Sequence, residues 1–424
     1  MAGPLPFHLL PDTSEVVDGR LRVGGCDLEE LAERYGTPVF VYDELHLRRR
    51  CRQARSALGG SVFYAAKAFL CFAMAKLVQS EGLGMDVATG GELAVALQSG
   101  FPPRRMVFHG NNKSLRELVM AVEAGVGRVV VDSFDEMDRI DHLYARRGIG
   151  PVDVLIRITP GVDAHTHEFV ATGHDDTKFG FTVSTGAAAQ AVRRVRQSPS
   201  MRARGVHAHI GSQVFRLESF REAARIVARL AIPFGLEELS LGGGLGVPYV
   251  EGESAPTIAE WGKTLREVCR SEGVTGLIMA EPGRAIVASA AMTLYRVGTI
   301  KEIEGVRTYL AVDGGMSDNP RPVLYGSSYE VFLPKAVSDH RDREVTVVGK
   351  HCESGDRLVA SGWVPGHIEV GDLIATPVTG AYGHSMGSNY QKVPRPPVVF
   401  VADGQSRLVV RREEYADMFR LEVG

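Results

Sequence analysis

A lysine set into an apolar run, Val62-Phe63-Tyr64-Ala65-Ala66-Lys67-Ala68-Phe69, has the most to offer chemically in this sequence. An amine at the end of an apolar strand is costly to bury as a cation. Desolvation lowers its pKa and makes it a nucleophile able to form a Schiff base. Taken alone, the stretch reads more simply as a lysine emerging from a strand end into water, since Lys is rarely buried. The motifs further along reverse that balance, because each suits a site for an anionic cofactor with a ring nitrogen.

Asp86 (in Met85-Asp86-Val87-Ala88), Arg157 and His209 (in His207-Ala208-His209-Ile210-Gly211-Ser212-Gln213) all fall at or near the ends of apolar runs. A lone histidine in such a run is usually a satisfied core residue. Here Gly211 permits close backbone approach and Ser212 offers a hydroxyl, which strengthens the functional reading. Leu241-Gly242-Gly243-Gly244-Leu245-Gly246 is a glycine turn directly after a strand. Its successive N–H groups can form a nest for a phosphate, although a turn without a ligand looks the same. In Glu281-Pro282-Gly283-Arg284 a carboxylate and a guanidinium stand three residues apart, held by Pro and Gly. A carboxylate facing a pyridine nitrogen keeps it protonated and makes the ring an electron sink. Arg can pair with phosphate or carboxylate, and a simple surface pair between Glu281 and Arg284 is the plainer alternative.

Three further stretches lie later in the chain. Lys350-His351-Cys352-Glu353-Ser354-Gly355-Asp356 sets a thiol beside a carboxylate, and a cysteine can act as a proton donor. A single Cys is more usually a small buried hydrophobe. A long polar loop from Asp313 to Pro322 carries Arg321, with Tyr325 just beyond, and Gly380-Ala381-Tyr382-Gly383 puts a phenol between glycines. Singly, each would be an ordinary loop.

The elements that must position these residues follow a rhythm. Short apolar strands at 62–64, 84–87, 106–108, 128–131, 153–158, 205–209, 238–241 and 277–280 alternate with helical periodicity at 91–98, 114–124, 134–145, 220–230 and 258–271. Eight such units fit a parallel (β/α) barrel better than a doubly wound sheet, and no GxGxxG follows the first strand. In a barrel of this kind functional residues sit where strands end. After about residue 287 strand-like runs at 292–297, 307–312, 344–348, 372–376, 398–401 and 406–410 follow one another with few helices, as in a mostly antiparallel β domain. The strand at 38–42 suits that domain too. The expected organisation is therefore a (β/α)8 barrel over 44–286 and a β domain built from 1–43 and 287–424. No internal repeat or low-complexity tract interrupts it.

Composition narrows the function classes. At 424 residues, with 44% hydrophobic and 23% charged residues, the chain is globular and long enough for two domains. A net charge of -3 gives no electrostatic case for nucleic acid or a membrane surface. Five scattered cysteines without CxxC pairing argue against a disulfide framework and a structural zinc, so no metal is expected. Met1 to Pro11 is not a signal peptide, and no apolar run reaches the length of a membrane span. A cytoplasmic protein is the expectation.

Together and in this order, the motifs resemble the diaminopimelate decarboxylase family, pyridoxal-phosphate enzymes on an alanine-racemase-like barrel. The resemblance rests on Tyr64-Ala65-Ala66-Lys67, Asn111-Asn112-Lys113-Ser114, Thr159-Pro160-Gly161-Val162-Asp163-Ala164-His165-Thr166-His167, Lys178-Phe179-Gly180-Phe181 and His209-Ile210-Gly211-Ser212-Gln213. The Gly242 turn, Glu281-Pro282-Gly283-Arg284, the Asp313 loop, the Cys352 motif and Gly380-Ala381-Tyr382-Gly383 continue it almost to the C-terminus. It implies that Lys67 carries pyridoxal 5'-phosphate, that His209 stacks on the pyridine ring and that Glu281 pairs with its nitrogen. Ser212, Gly242, Gly243, Gly244 and Tyr382 would hold the phosphate, with Asp86, Arg157, Gly283 and Arg284 also at the cofactor. Arg284, Arg321, Tyr325, Glu353 and Tyr382 would grip the diamino diacid. Cys352 and Glu353 would reach the active site of the other subunit of a homodimer. His384 and Gln391 depart from the family pattern near the substrate mouth, which bears on fine specificity.

The implied reaction is decarboxylation of meso-2,6-diaminopimelate to L-lysine, the last step of lysine biosynthesis. A related decarboxylase of another amino acid, free or carried on an acyl carrier protein, is the alternative; loss of Arg321 would favour it, yet Arg321 is present. A cofactor-binding regulator without turnover would be expected to lack Lys67 or Cys352, and a racemase would not need the Cys352 motif.

Overall fold

A computed structural model describes residues 5–59, 61–162, 173 and 175–423. Asp163 to His167 of the motif beginning at Thr159 lie outside the described residues, as do Gly60 and residues 1–4 and 424 of the expected β domain. The chain divides into two compact units.

One unit comprises Cys51–Gly246 and Ala255–Ala285. Its strands Phe63–Ala65, Gly84–Val87, Met106–Phe108, Arg128–Val131, Val152–Thr159, Met201–His207, Glu238–Ser240 and Leu277–Met279 pair in parallel, in chain order. The Phe63 N–H donates to the Ala280 carbonyl at 2.9 Å, and a parallel bridge from Val62 to Ala280 closes the circle. Helices return the chain between strands, and several start where their sequence supplies a cap. Ser114 with Glu117, and Thr257 with Glu260, form capping boxes, and Thr89 and Ser133 cap the helices Gly90–Gln98 and Phe134–Arg147.

The barrel interior follows from the two-residue period of a strand. Val107, Val130, Leu155 and Met279 pack together with Phe63 against them. One step back along the same faces, Arg128 makes a bidentate pair with Glu238 at 2.6 and 2.8 Å. One step forward come His109, Asp132, Arg157 and Glu281, so the polar layer lies at the strand ends.

The other unit takes in the described residues of Met1–Arg50, Val247–Ser254 and Ile286–Gly424. Its sheet runs in the order Arg357–Val364, Arg343–Val348, Arg307–Val312, Ala291–Ile303, Val39–Asp43, Val398–Ala402, Gln405–Val410, with Leu373–Pro377 also paired to Ala291–Ile303. Pairing is antiparallel except between Arg307–Val312 and Arg343–Val348 and between Val39–Asp43 and Val398–Ala402. The early strand thus joins the late ones, as its sequence suggests.

Three expectations need correction. The strand expected at 205–209 runs from Met201 and ends at His207, two residues before His209. Arg357–Val364 is a strand that the sequence pattern did not announce. The lysine buried as a cation is Lys113, not Lys67. Lys113 is 2% exposed, and its Nζ donates to Glu136 Oε1 at 2.6 Å and to the carbonyls of Val130 and Gly110 at 2.7 and 2.8 Å. All three ammonium donors are satisfied, so the pair locks a loop to a helix start. Lys113→Met should therefore lower stability by about 3 kcal/mol by stranding Glu136. Lys113→Met with Glu136→Gln should recover part of it in thermal unfolding; equal losses would mean that the pair is not what holds this loop.

Candidate active site

Glu281 follows the last barrel strand and is buried. Ser240 Oγ donates to its Oε1 at 2.7 Å, and His207 Nε2 lies 2.9 Å from its Oε2. His109 Nε2 is 3.4 Å from the same Oε1 and 3.6 Å from Asp86 Oδ1. The rings of His109 and His207 meet edge to face at 4.7 Å. Burial alone would raise the Glu281 pKa, but the two histidines and their hydrogen bonds outweigh it and hold the carboxyl well below the usual range. His207 is pushed down to about 4, by burial ahead of the opposing pull of Glu281. A neutral imidazole donating to an ionised carboxylate satisfies both directions. Asp86 moves the other way: burial raises its pKa against the attraction of His109. These two imidazoles and Glu281 could by spacing also hold a metal ion, but Glu281 is already engaged by a hydroxyl and an imidazole.

Around this carboxylate the unit collects charge and backbone. Lys67 sits in a short turn, Ala66–Ala68, right after the first strand. It is exposed although Ala66, Ala68 and Phe69 around it are buried, so the reading of a lysine desolvated within the protein does not hold. Its amine still acts on Asp86, Glu92 and His209 as a neighbouring charge. Gly283 makes that turn possible, since a Cβ there would stand 3.0 Å from those of Ala65 and Ala68. Arg157 is buried, 3.4 Å from Asp132, with its guanidinium 4.1 Å over the Phe179 ring.

His209 Nδ1 accepts the Gly243 N–H at 3.2 Å. At Gly243 the glycine turn thus fixes the imidazole instead of offering its N–H to an anion. Gly243 has no room for a side chain, because a Cβ would lie 2.2 Å from the Glu281 carbonyl oxygen. Gly242 and Gly244 take the left-handed conformations, φ 63 and 104, that close the turn. Burial, then the cations Lys67 and Arg157, hold the His209 pKa well below its ordinary value, so the ring is neutral. Ser212 Oγ accepts from Arg284 Nη2 at 2.9 Å and Nε at 3.2 Å. Arg284 and Glu281 are both buried, which removes the surface-pair alternative.

In the second unit Arg321 is buried at the start of the helix Arg321–Tyr325. Its guanidinium lies 4.3 Å over the Tyr249 ring and 5.5 Å from that of Tyr329, whose hydroxyl it also contacts. No carboxylate pairs with Arg321 among the described residues, and its Nε has no partner. A buried cation stacked between phenols and short of an anion suits a ligand carboxylate. Tyr325 and Tyr382 are half-buried, Tyr382 with a left-handed backbone at φ 61. Cys352 and Glu353 are exposed, unlike the other four cysteines, which are buried. His384 turns edge-on to Phe40 at 5.9 Å, a packing contact.

Sequence reasoning missed His109, His207 and Ser240 around Glu281, and Tyr249 and Tyr329 around Arg321. Strand parity would have found the first three: His109 stands two residues from Val107, His207 two from His209, and Ser240 two from Glu238. Tyr249 had no such signal, because it lies in Val247–Ser254, an excursion from barrel sequence into the other unit.

Residues 44–288 match the pyridoxal binding domain of the pyridoxal-dependent decarboxylases. A diaminopimelate decarboxylase of Mycobacterium tuberculosis is 47% identical over 98% of this chain and 99% of its own length. One from Bacillus subtilis is 44% identical over 96% and 95%. The crystal structure of diaminopimelate decarboxylase from M. jannaschii in co-complex with L-lysine superposes with a TM-score of 0.90 at 33% identity, covering 97% of this chain and 98% of that one.

The burial of His207 sets a pH dependence. With its pKa near 4 when folded and 6.5 when unfolded, the unfolded chain takes up a proton first as pH falls. Stability is then lost between about pH 6.5 and 4, by about 2 kcal/mol between pH 7 and 5 from this residue. His46 and His384, both pushed to about 4 by burial, act in the same direction. His207→Gln should keep a donor to Glu281 and lose less thermal stability than the parent between pH 7 and 5. An unchanged loss would contradict the assignment.

Proposed function

The chain belongs to the diaminopimelate decarboxylases, and from that membership we propose how its residues share the work. It is a pyridoxal-phosphate-dependent decarboxylase that converts meso-2,6-diaminopimelate to L-lysine and carbon dioxide. The names of its relatives favour diaminopimelate over another amino acid or a carrier-bound group. The observation that carries the reading is the buried Glu281 carboxylate at the barrel strand ends, kept ionised by His207, His109 and Ser240.

The residues present fit the cofactor. An ionised carboxylate suits a protonated ring nitrogen, a neutral imidazole at His209 offers a flat face, and Arg284 with Ser212 supplies a cation and a hydroxyl for a phosphate. When bound, pyridoxal phosphate supplies an electron sink for the pair left by the departing carboxylate. In the proposed division of labour Lys67 Nζ would hold the cofactor. Glu281 holds a proton on the ring nitrogen, and Asp86 and Arg157 help set the charge around it. Ser212, Arg284, Tyr382 and the turn at Gly242 and Gly244 hold the phosphate end, with Gly243 fixing His209 beside it and Gly283 keeping the Lys67 turn close.

Arg321 takes the distal carboxylate of the substrate, with Tyr325, Tyr382, Arg284 and Glu353 orienting the rest. Cys352 returns a proton to the carbon that lost carbon dioxide, and Cys352 and Glu353 serve the barrel of a partner copy in a homodimer. Their exposure supports that reading, since they have no burial role of their own. Residues 44–286 form the cofactor-binding domain in this proposal, and 1–43 with 287–424 the second. We also place the enzyme in the cytoplasm. Free thiols at all five cysteines support that, and no helix among the described residues is long and apolar enough to cross a membrane.

A product assay on meso-diaminopimelate, its LL isomer, lysine, ornithine, arginine and glutamate tests the reaction, with lysine expected from the meso compound alone. In the same assay Cys352→Ala should lose about two to four decades in rate, and Lys67→Ala should be inactive. Mixed under subunit-exchange conditions, the two should regain part of the activity. A mixture as inactive as either parent would contradict the shared site, and turnover of another substrate would contradict the specificity.

A further inference from the structure

We propose that Tyr390 and Gln391 are positioning residues that orient the Cys352 thiol and the Glu353 carboxylate, an inference that rests on the roles proposed above for those two groups. Cys352 and Glu353 stand on an exposed turn between the strands Arg343–Val348 and Arg357–Val364. Burial fixes His351 and Asp356 at its ends but not Cys352 and Glu353 themselves.

One side of it is anchored from within. Asp356 Oδ2 accepts the His351 N–H at 2.9 Å and lies 2.9 Å from His351 Nδ1. The Lys350 N–H donates to the Gly314 carbonyl at 2.9 Å. The side bearing the reactive groups is held by the 390–391 segment. Gln391 Oε1 accepts the Cys352 N–H at 3.0 Å, and the Tyr390 hydroxyl donates to Glu353 Oε2 at 2.6 Å. The Tyr390 ring stacks on His351, 5.6 Å between centroids and 8° from parallel. Three successive residues of the turn, His351, Cys352 and Glu353, are therefore each gripped by one of two residues.

The backbone of that segment supports a dedicated task. Gln391 and Lys392 both adopt left-handed conformations, φ 52 and 56, which residues with a side chain rarely take. Both are exposed, so packing does not impose the conformation. Such strain persists where surrounding contacts over-determine it; Gln391 is held by its contact to Cys352, and Lys392 by its N–H to the Asn389 carbonyl at 2.8 Å and its ammonium to Glu422 at 2.8 Å. The two grips differ in chemistry. An amide oxygen on the Cys352 N–H fixes the peptide from which the thiol projects. A phenol on one oxygen of Glu353 holds that carboxylate in place and leaves its other oxygen to accept from a substrate ammonium. Tyr390 remains a donor, because its hydrogen bond to Glu353 raises its pKa.

The two variants should accordingly fail in different constants. Gln391→Leu should lower kcat about tenfold or more at nearly unchanged KM, since a small misplacement of a reacting group is costly. It should also change the rate at which iodoacetamide alkylates Cys352 by at least about threefold. That reaction can be read by peptide mapping, because the other four cysteines are buried. Gln391→Glu keeps an acceptor of the same length and should recover most of kcat. Tyr390→Phe keeps the stacked ring but loses the hydroxyl, and should raise KM for meso-diaminopimelate about tenfold at nearly unchanged kcat. Unchanged kcat, KM and alkylation rate would overturn the inference. So would a fall in kcat accompanied by lower thermal stability with no change in alkylation. Cys352→Ala separates this inference from the one beneath it. Full turnover in that variant would remove the role of Cys352, while the alkylation rate would still decide whether Gln391 orients the thiol.

Discussion

The barrel unit depends on keeping a carboxylate charged where water does not reach. Taking an ion out of water is expensive unless hydrogen bonds and neighbouring dipoles replace its hydration. At Glu281 the replacement comes from three strands: Ser240, His207 and His109 each aim a polar atom at the carboxyl. The strands can do this because they close into a barrel. Side chains of the same parity on different strands then converge on one axis at the strand ends. Beneath them Val107, Val130, Leu155, Met279 and Phe63 fill the interior and leave the polar layer only one way to face. A charged acceptor fixed in this way is what a protonated ring nitrogen requires, which ties the architecture to the cofactor.

The second unit solves a similar problem with the opposite sign. Arg321 is buried as a cation, with aromatic faces taking the place of water and no acidic partner among the described residues. A carboxylate-bearing ligand completes such a site. The exposed Cys352 turn follows a different logic. Its groups face solvent, and their orientation depends on Asp356 behind and on Tyr390 and Gln391 in front.

Much of this was legible in the sequence. The strands Gly84–Val87, Met106–Phe108 and Arg128–Val131 and the helix Ile258–Ser271 fall where apolar periodicity and capping residues put them. They are short elements with clear Gly, Pro or Ser/Thr boundaries. Arg357–Val364 was not legible, because bulges against Arg343–Val348 break its two-residue alternation and it carries Ser361 and Gly362. At the site, the sequence named the residues that motifs advertise, such as Lys67, Glu281 and Cys352. It did not name the ones that hold them. Ser240, His109 and Tyr249 look like ordinary residues until folding brings distant segments together. Lys67 and Lys113 show the limit of local reading: an apolar neighbourhood in sequence surrounds the exposed lysine, while the buried one sits in the polar run Asn111-Asn112-Lys113-Ser114.

The charge state of Glu281 is the point on which the account stands most directly. Difference infrared spectroscopy between the purified enzyme and Glu281→Gln reads that state. The bands of an ionised carboxylate are expected at pH 7 and still at pH 5, since the carboxyl is held well below its ordinary range. The stretch of a protonated carboxyl at pH 7 would contradict it.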